Sequence, residues 1–147
     1  MKPVIQEEIT GCGIASVAAL AGVTYQDARV VANTLGIYAA DERLWSETHH
    51  VRTLLRHFGL RDVRGEKPFQ SWDALPPLAL LATKWHLEQG KPFWHWAIFW
   101  RDPQGAMVLD SKQSLRRNVR TDLWRIKPKW FIEVNPGKVL DKSSYQS

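Results

Sequence analysis

The stretch from Gln6 to Gly22, QEEITGCGIASVAALAG, decides how the rest of the chain is read. It holds the only cysteine, Cys12, set between Gly11 and Gly13 and opening the apolar run Ile14-Ala15-Ser16-Val17-Ala18-Ala19-Leu20-Ala21. Small residues at that density suit a tightly packed, buried helix, and Gly22 reads as its stop. A thiol in the first turn of such a helix meets unpaired backbone N–H groups and the positive end of the helix dipole, and both favour the thiolate. The flanking glycines remove bulk where a substrate backbone would approach the sulfur. The plain alternative is that Cys12 is a small hydrophobe, since free cysteine is among the most buried residue types.

A nucleophilic cysteine needs a base, and the base an orienting partner, both brought from elsewhere in the chain. The segment Phe93-Trp94-His95-Trp96-Ala97-Ile98-Phe99-Trp100 reads as a buried strand that carries a histidine near its start. Asp102-Pro103-Gln104-Gly105 is a turn signal, and Ala106-Met107-Val108-Leu109-Asp110 a second short strand. Antiparallel pairing of the two places Asp110 beside His95, where its carboxylate can hold one imidazole nitrogen and leave the other for the thiol. Trp94 and Trp96, with Trp100, alternate along the strand and are candidate walls of a substrate groove; a place in the core is the commoner fate of such residues.

Gln6 with five residues before Cys12-Gly13-Ile14-Ala15-Ser16, the later His95 on an aromatic strand and Asp110 after a hairpin together resemble the papain-like cysteine peptidases of the bacteriocin-processing, double-glycine-leader type. The resemblance covers Gln6 to about Ser111 and is densest at the first motif. It implies that Gln6 helps form the oxyanion hole, Cys12 attacks the carbonyl, His95 is the base and Asp110 orients it. Many members of that family carry an acidic residue where this chain has Gly11, and a proline where it has Ser111. Members are often the cytosolic part of an export transporter. This sequence shows no membrane-spanning stretch and no nucleotide-binding motif, so the expectation is a stand-alone relative.

The 147 residues are expected to form one domain with its core over about 3–135 and a frayed, polar tail over 138–147. A single cysteine excludes an internal disulfide framework and points to a reducing, cytoplasmic compartment, with signal-less delivery of a secreted effector as the alternative. The formal charge is +5. Much of the surplus lies between residues 112 and 129, in Lys112, Arg116, Arg117, Arg120, Arg125, Lys127 and Lys129 against Asp122 alone. A solvated basic face is the first reading of that segment, an acidic partner the second, and nucleic acid is disfavoured because no nucleic-acid motif accompanies the charge. His49, His50 and His57 lie on or near one expected helix without a chelating pattern, so neither a metal nor any other cofactor is expected. His86 is the rival base, but it has no aspartate at an equivalent hairpin position.

In order along the chain, Thr24-Tyr25-Gln26-Asp27 reads as a capping box for a second helix running to about Leu35, with Val23, Ala28, Val31, Ala32 and Leu35 as its apolar face. A looser stretch, 37–45, precedes a third helix capped by Ser46, with a stripe of Val51, Leu54, Leu55 and Phe58. Leu78 to Thr83 reads as the first central strand and Trp130 to Val134 as the last, with Arg61 to Pro77 and Arg116 to Lys129 as connections. Helices first and antiparallel strands afterwards make an α+β domain, as the resemblance also implies. The expected activity is cleavage of an amide in a peptide or protein substrate. Deamidation, acyl transfer and a catalytically silent peptide-binding module are the competing readings.

Overall fold

Helix α1 (Cys12–Ala21) is apolar on every side, and each residue from Cys12 to Leu20 is buried, as a helix of that composition must be. It ends on Gly22, whose left-handed φ of 72° lets its N–H and that of Val23 return to the carbonyls of Ala19 and Ala18. Helix α2 (Tyr25–Thr34) starts at Thr24, whose hydroxyl accepts the Asp27 N–H at 3.1 Å. Its buried face is Tyr25, Ala28 and Ala32. Leu35 was expected on that face but is exposed, because the helix ends before it and the chain turns at Gly36.

The stretch after Gly36 is more regular than its composition suggests. Glu42–Ser46 is a 3-10 turn begun by Asp41, whose carboxylate accepts the Arg43 N–H at 3.0 Å. Ser46 therefore closes that turn rather than capping the next helix. Helix α3 (His49–His57) opens from Thr48, and the Glu47 carboxylate accepts the His50 N–H at 3.2 Å. Its stripe is as expected: Val51, Leu54 and Leu55 are buried and Phe58 packs against the same core.

The computed structural model describes residues 1–136, so the expected frayed tail lies outside the described residues. Seven strands follow the helices: β1 (Arg61–Asp62), β2 (Lys67–Pro68), β3 (Leu78–Glu88), β4 (Lys91–Asp102), β5 (Gly105–Leu109), β6 (Val119–Arg120) and β7 (Pro128–Asn135). All pairings are antiparallel in the order β1-β7-β3-β4-β5-β6, with β2 also on β7. The long strands alternate as half-buried strands do. Leu78, Leu80, Ala82, Trp94, Trp96 and Ile98 face the helices, while Ala79, Leu81, Ala97, Phe99 and Phe131 form a second cluster under Leu75 and Ile126. The architecture is thus α+β. No helix among the described residues is long and apolar enough to cross a membrane.

Two features of the sheet position the candidate site. The β3–β4 register shifts between Thr83 and His86, and Lys84 sits in that bulge with a left-handed φ of 54°. Strand β4 also outruns β5: pairing starts at Ile98 with Leu109, so residues before Ile98 leave one edge of β4 uncovered. The N-terminus of α1 reaches that edge, and the Trp96 N–H donates to the Cys12 Sγ at 3.5 Å.

Candidate active site

Cys12 occupies the first helical position of α1, where its own N–H has no intrahelical partner. The thiol is 1 % exposed. His95 approaches from β4, held by the register that pairs it with Thr83, whose hydroxyl donates to the His95 carbonyl at 3.0 Å. Its Nε2 meets Asp110 Oδ1 at 2.8 Å. Asp110 follows β5 and is fixed on several sides: its Oδ1 accepts the Lys112 N–H at 3.1 Å, its N–H donates to the Asn118 carbonyl at 2.8 Å, and its carbonyl accepts from Asn118 Nδ2 at 2.7 Å. With Nε2 engaged by the carboxylate, Nδ1 is the nitrogen left for the sulfur.

Electrostatics agree with that geometry. Burial alone would lower the His95 pKa, but the hydrogen bonds to Asp110 and Cys12 and the negative charge on both more than offset it and raise the imidazole to about 9. Burial acts to raise the Asp110 carboxyl, and the hydrogen bond and charge of His95 outweigh it, so the net shift is downward. A cationic imidazole beside the Asp110 carboxylate is therefore the favoured form at neutral pH.

Gln6 is buried beside this group and acts as a cross-tie. Its N–H donates to the Ser111 carbonyl at 3.0 Å, its side-chain oxygen accepts from the Ser111 hydroxyl at 2.7 Å, and its carbonyl accepts from Gln113 Nε2 at 2.7 Å. Its amide nitrogen donates to the Glu8 and Ile9 carbonyls at 3.0 and 2.9 Å, so in this conformation both amide hydrogens are engaged by the loop leading to Cys12. Glu8 is in turn gripped by Tyr25 and by Arg29 at 2.8 Å, and Glu7 by Gln26 and Arg29. These acids clamp the loop to α2 rather than decorating the surface.

The residues expected to line a groove have other roles. A Cβ on Gly11 would collide with the Tyr25 hydroxyl, and one on Gly13 with His50 Nε2 and Val51. Both glycines are buried, so their lack of bulk serves close packing against α2 and α3 instead of substrate approach. Trp94 and Trp96 are also buried, on the helix-facing side of β4, in edge-on contact with each other and with Trp130. They are core, because the alternation that brings them together turns them under α1. A groove of about 410 Å³ lies instead between β2, β7 and residues 70–76, and neither Cys12, His95 nor Asp110 lines it.

His86 is exposed, with Nδ1 against the Lys84 carbonyl at 2.9 Å and Nε2 against Glu88 at 3.3 Å, and it makes no hydrogen bond to Cys12. His50 is buried, its Nδ1 bonded to Glu47 and its Nε2 without a partner among the described residues. Among those residues no group of three or more His, Cys, Asp or Glu side chains is placed to hold a metal ion. Sequence reasoning did not foresee Ser111, Gln113 and Asn118 as supports. The only available signal was their position within eight residues of Asp110. No protein-family model matches the chain, and no curated protein matches it.

Proposed function

We propose that the chain is a papain-like thiol hydrolase that cleaves an amide bond in a peptide or protein. The observation that carries this reading is the 2.8 Å His95–Asp110 bond on the strand whose next residue, Trp96, donates its N–H to the Cys12 Sγ at 3.5 Å. The Cys12 thiolate, its proton held by His95 as the imidazolium, adds to the amide carbonyl carbon, and the Cys12 N–H at the start of α1 faces the developing oxyanion. The tetrahedral adduct then expels the amine, which takes its proton from His95 Nδ1. Water adds to the thioester, gives a proton back to His95, and the acid leaves. Gln6 joins the oxyanion hole once its donors are released from Glu8 and Ile9. Deamidation and acyl transfer use the same attacking group and differ in the acceptor.

The test is the pH dependence of Cys12 alkylation by iodoacetamide. Rapid reaction well below the ordinary thiol pKa of ~8.5, lost in His95→Ala and kept in His86→Ala, is the expected result. An inert thiol, or one indifferent to His95, sinks the hydrolase reading. The 1 % exposure of Cys12 and the engaged Gln6 donors favour a second reading, a silent peptide-binding module. A peptide bound equally by wild type and Cys12→Ala, and never turned over, would select it.

A further inference from the structure

Strand β6 is an outer edge of the sheet: it pairs with β5 on one side and, among the described residues, with no strand on the other. In an antiparallel ladder, successive residues turn their N–H and C=O alternately toward the partner strand and away from it. The Asp110 N–H donates to the Asn118 carbonyl at 2.8 Å, and the register continues with Leu109 opposite Val119 and Val108 opposite Arg120. Asn118 and Arg120 therefore face β5, and Val119 turns its N–H and C=O to the open edge. Val119 is also 40 % exposed.

The segments on either side of β6 are fixed and basic. Before it, Asn118 Nδ2 donates to the Asp110 and Lys112 carbonyls at 2.7 and 2.9 Å, which anchors the turn that carries Arg116 and Arg117. After it, the 3-10 turn Leu123–Arg125 is closed by the Arg125 and Ile126 N–H groups on the Asp122 and Leu123 carbonyls, both at 3.0 Å. Leu123 and Ile126 pack into the second core cluster, which leaves Trp124 and Arg125 outermost. Trp124 is 77 % exposed. Arg116, Arg117, Arg125 and Lys127 are exposed too, and none of the four forms an ion pair among the described residues. Asp122, the acid of this stretch, is taken by Arg120 in a two-point bond at 3.0 and 2.9 Å. A tryptophan and arginines left open together have the composition of a protein-binding hot spot rather than of a merely solvated face.

We propose that β6 and its flanks bind an extended acidic segment of another protein. The segment adds to the sheet as a strand beside Val119, sets its carboxylates against Arg116, Arg117 and Arg125, and covers the Trp124 indole. A second copy of this chain is a poorer occupant, because its own β6 edge is equally basic and two such edges repel. One tryptophan offers no run of stacking platforms for single-stranded nucleic acid, and neither nucleic acid nor a lipid surface pairs with both the N–H and the C=O of an edge strand. Such binding is independent of the proposed hydrolysis, whose Cys12, His95 and Asp110 side chains it does not touch.

The test is NMR shift titration of the full chain with acetyl-Glu-Val-Asp-Val-Glu-amide and with its neutral counterpart, acetyl-Gln-Val-Asn-Val-Gln-amide. The acidic peptide is expected to bind about tenfold or more tighter, to shift residues 116–125 most, and to lose affinity as salt rises. Trp124→Ala, and separately Arg116→Gln with Arg117→Gln, should each weaken it about fivefold or more. Val119→Pro removes the outward N–H alone. It should weaken the acidic peptide while the Asp110 amide stays protected from hydrogen exchange, the sign that β6 still pairs with β5. Should the proline dislodge β6, the tryptophan and arginine variants, which lie outside the ladder, decide. Equal or undetectable binding of the two peptides, an affinity indifferent to Trp124 and the arginines, or undiminished binding by an intact Val119→Pro edge overturns the proposal. Tighter binding of a short oligothymidylate or of phosphatidylserine vesicles than of the acidic peptide overturns it as well, by making this edge a nucleic-acid or a membrane surface.

Discussion

At the scale of single residues, the site depends on one carboxylate. Asp110→Asn removes one of the two groups that keep a proton on His95, so the imidazole midpoint should fall from about 9 toward the ordinary ~6.5, read directly by NMR titration of the ring. An unmoved midpoint would mean that Asp110 orients without stabilising. Ser111→Ala leaves the buried Gln6 side-chain oxygen without its donor and should cost roughly 1 to 2 kcal/mol in denaturant melts. A proline at 111 would likewise supply no hydroxyl. Ser111 thus has a physical partner in Gln6. Gly11 has one in the Tyr25 hydroxyl, which leaves no room for a side chain. Neither partner could be read from spacing, because both contacts join residues distant in the chain.

At the scale of elements, the meeting of α1 and α3 is set by what Gly13 lacks. Helix propensity alone predicts that Gly13→Ala gains about 1 kcal/mol. The collision with His50 and Val51 predicts instead a net loss of roughly 1 to 3 kcal/mol, partly relieved in the double variant with His50→Ala, and thermal melts decide the sign. The first two helices were legible because their caps and glycine stops are local, whereas the third starts from Thr48 and not from the expected Ser46. The bounds of α1 and α2 follow Gly22, Thr24 and Gly36. The two-residue strands β1, β2 and β6 were not legible, since strands that short carry no period and exist only because β7 and β5 offer them an edge. The placement of His95 shows the same limit: by alternation it shares a parity with Ala97 and Phe99, away from the helices. It reaches Asp110 because β4 outruns β5 and the chain leaves β5 just before that carboxylate.

At the scale of the whole molecule, the His95–Asp110 pair ties stability to pH. His95 titrates higher in the folded chain, so its contribution is complete below the unfolded value of ~6.5 and is lost as pH rises through about 9. Asp110 titrates lower when folded, so its share is present above the unfolded value of ~3.9 and is lost as pH falls through the folded one. The stability difference between wild type and His95→Gln should therefore shrink by roughly 1 to 3 kcal/mol between pH 6.5 and 9, measured by chemical denaturation. A difference flat across that window would show that the imidazole is not held as a cation. The α+β order of helices before strands was visible in the sequence, whereas the position of β7 between β1 and β3 was not. That position bears on timing. A ribosome extends the chain from its N-terminus, so the cysteine, the histidine and the aspartate all emerge while one side of β3 is still bare. The sheet is complete only when residues 128–135 arrive to fill it. Cys12, His95 and Asp110 are thus all made before the central strand β3 has both of its neighbours.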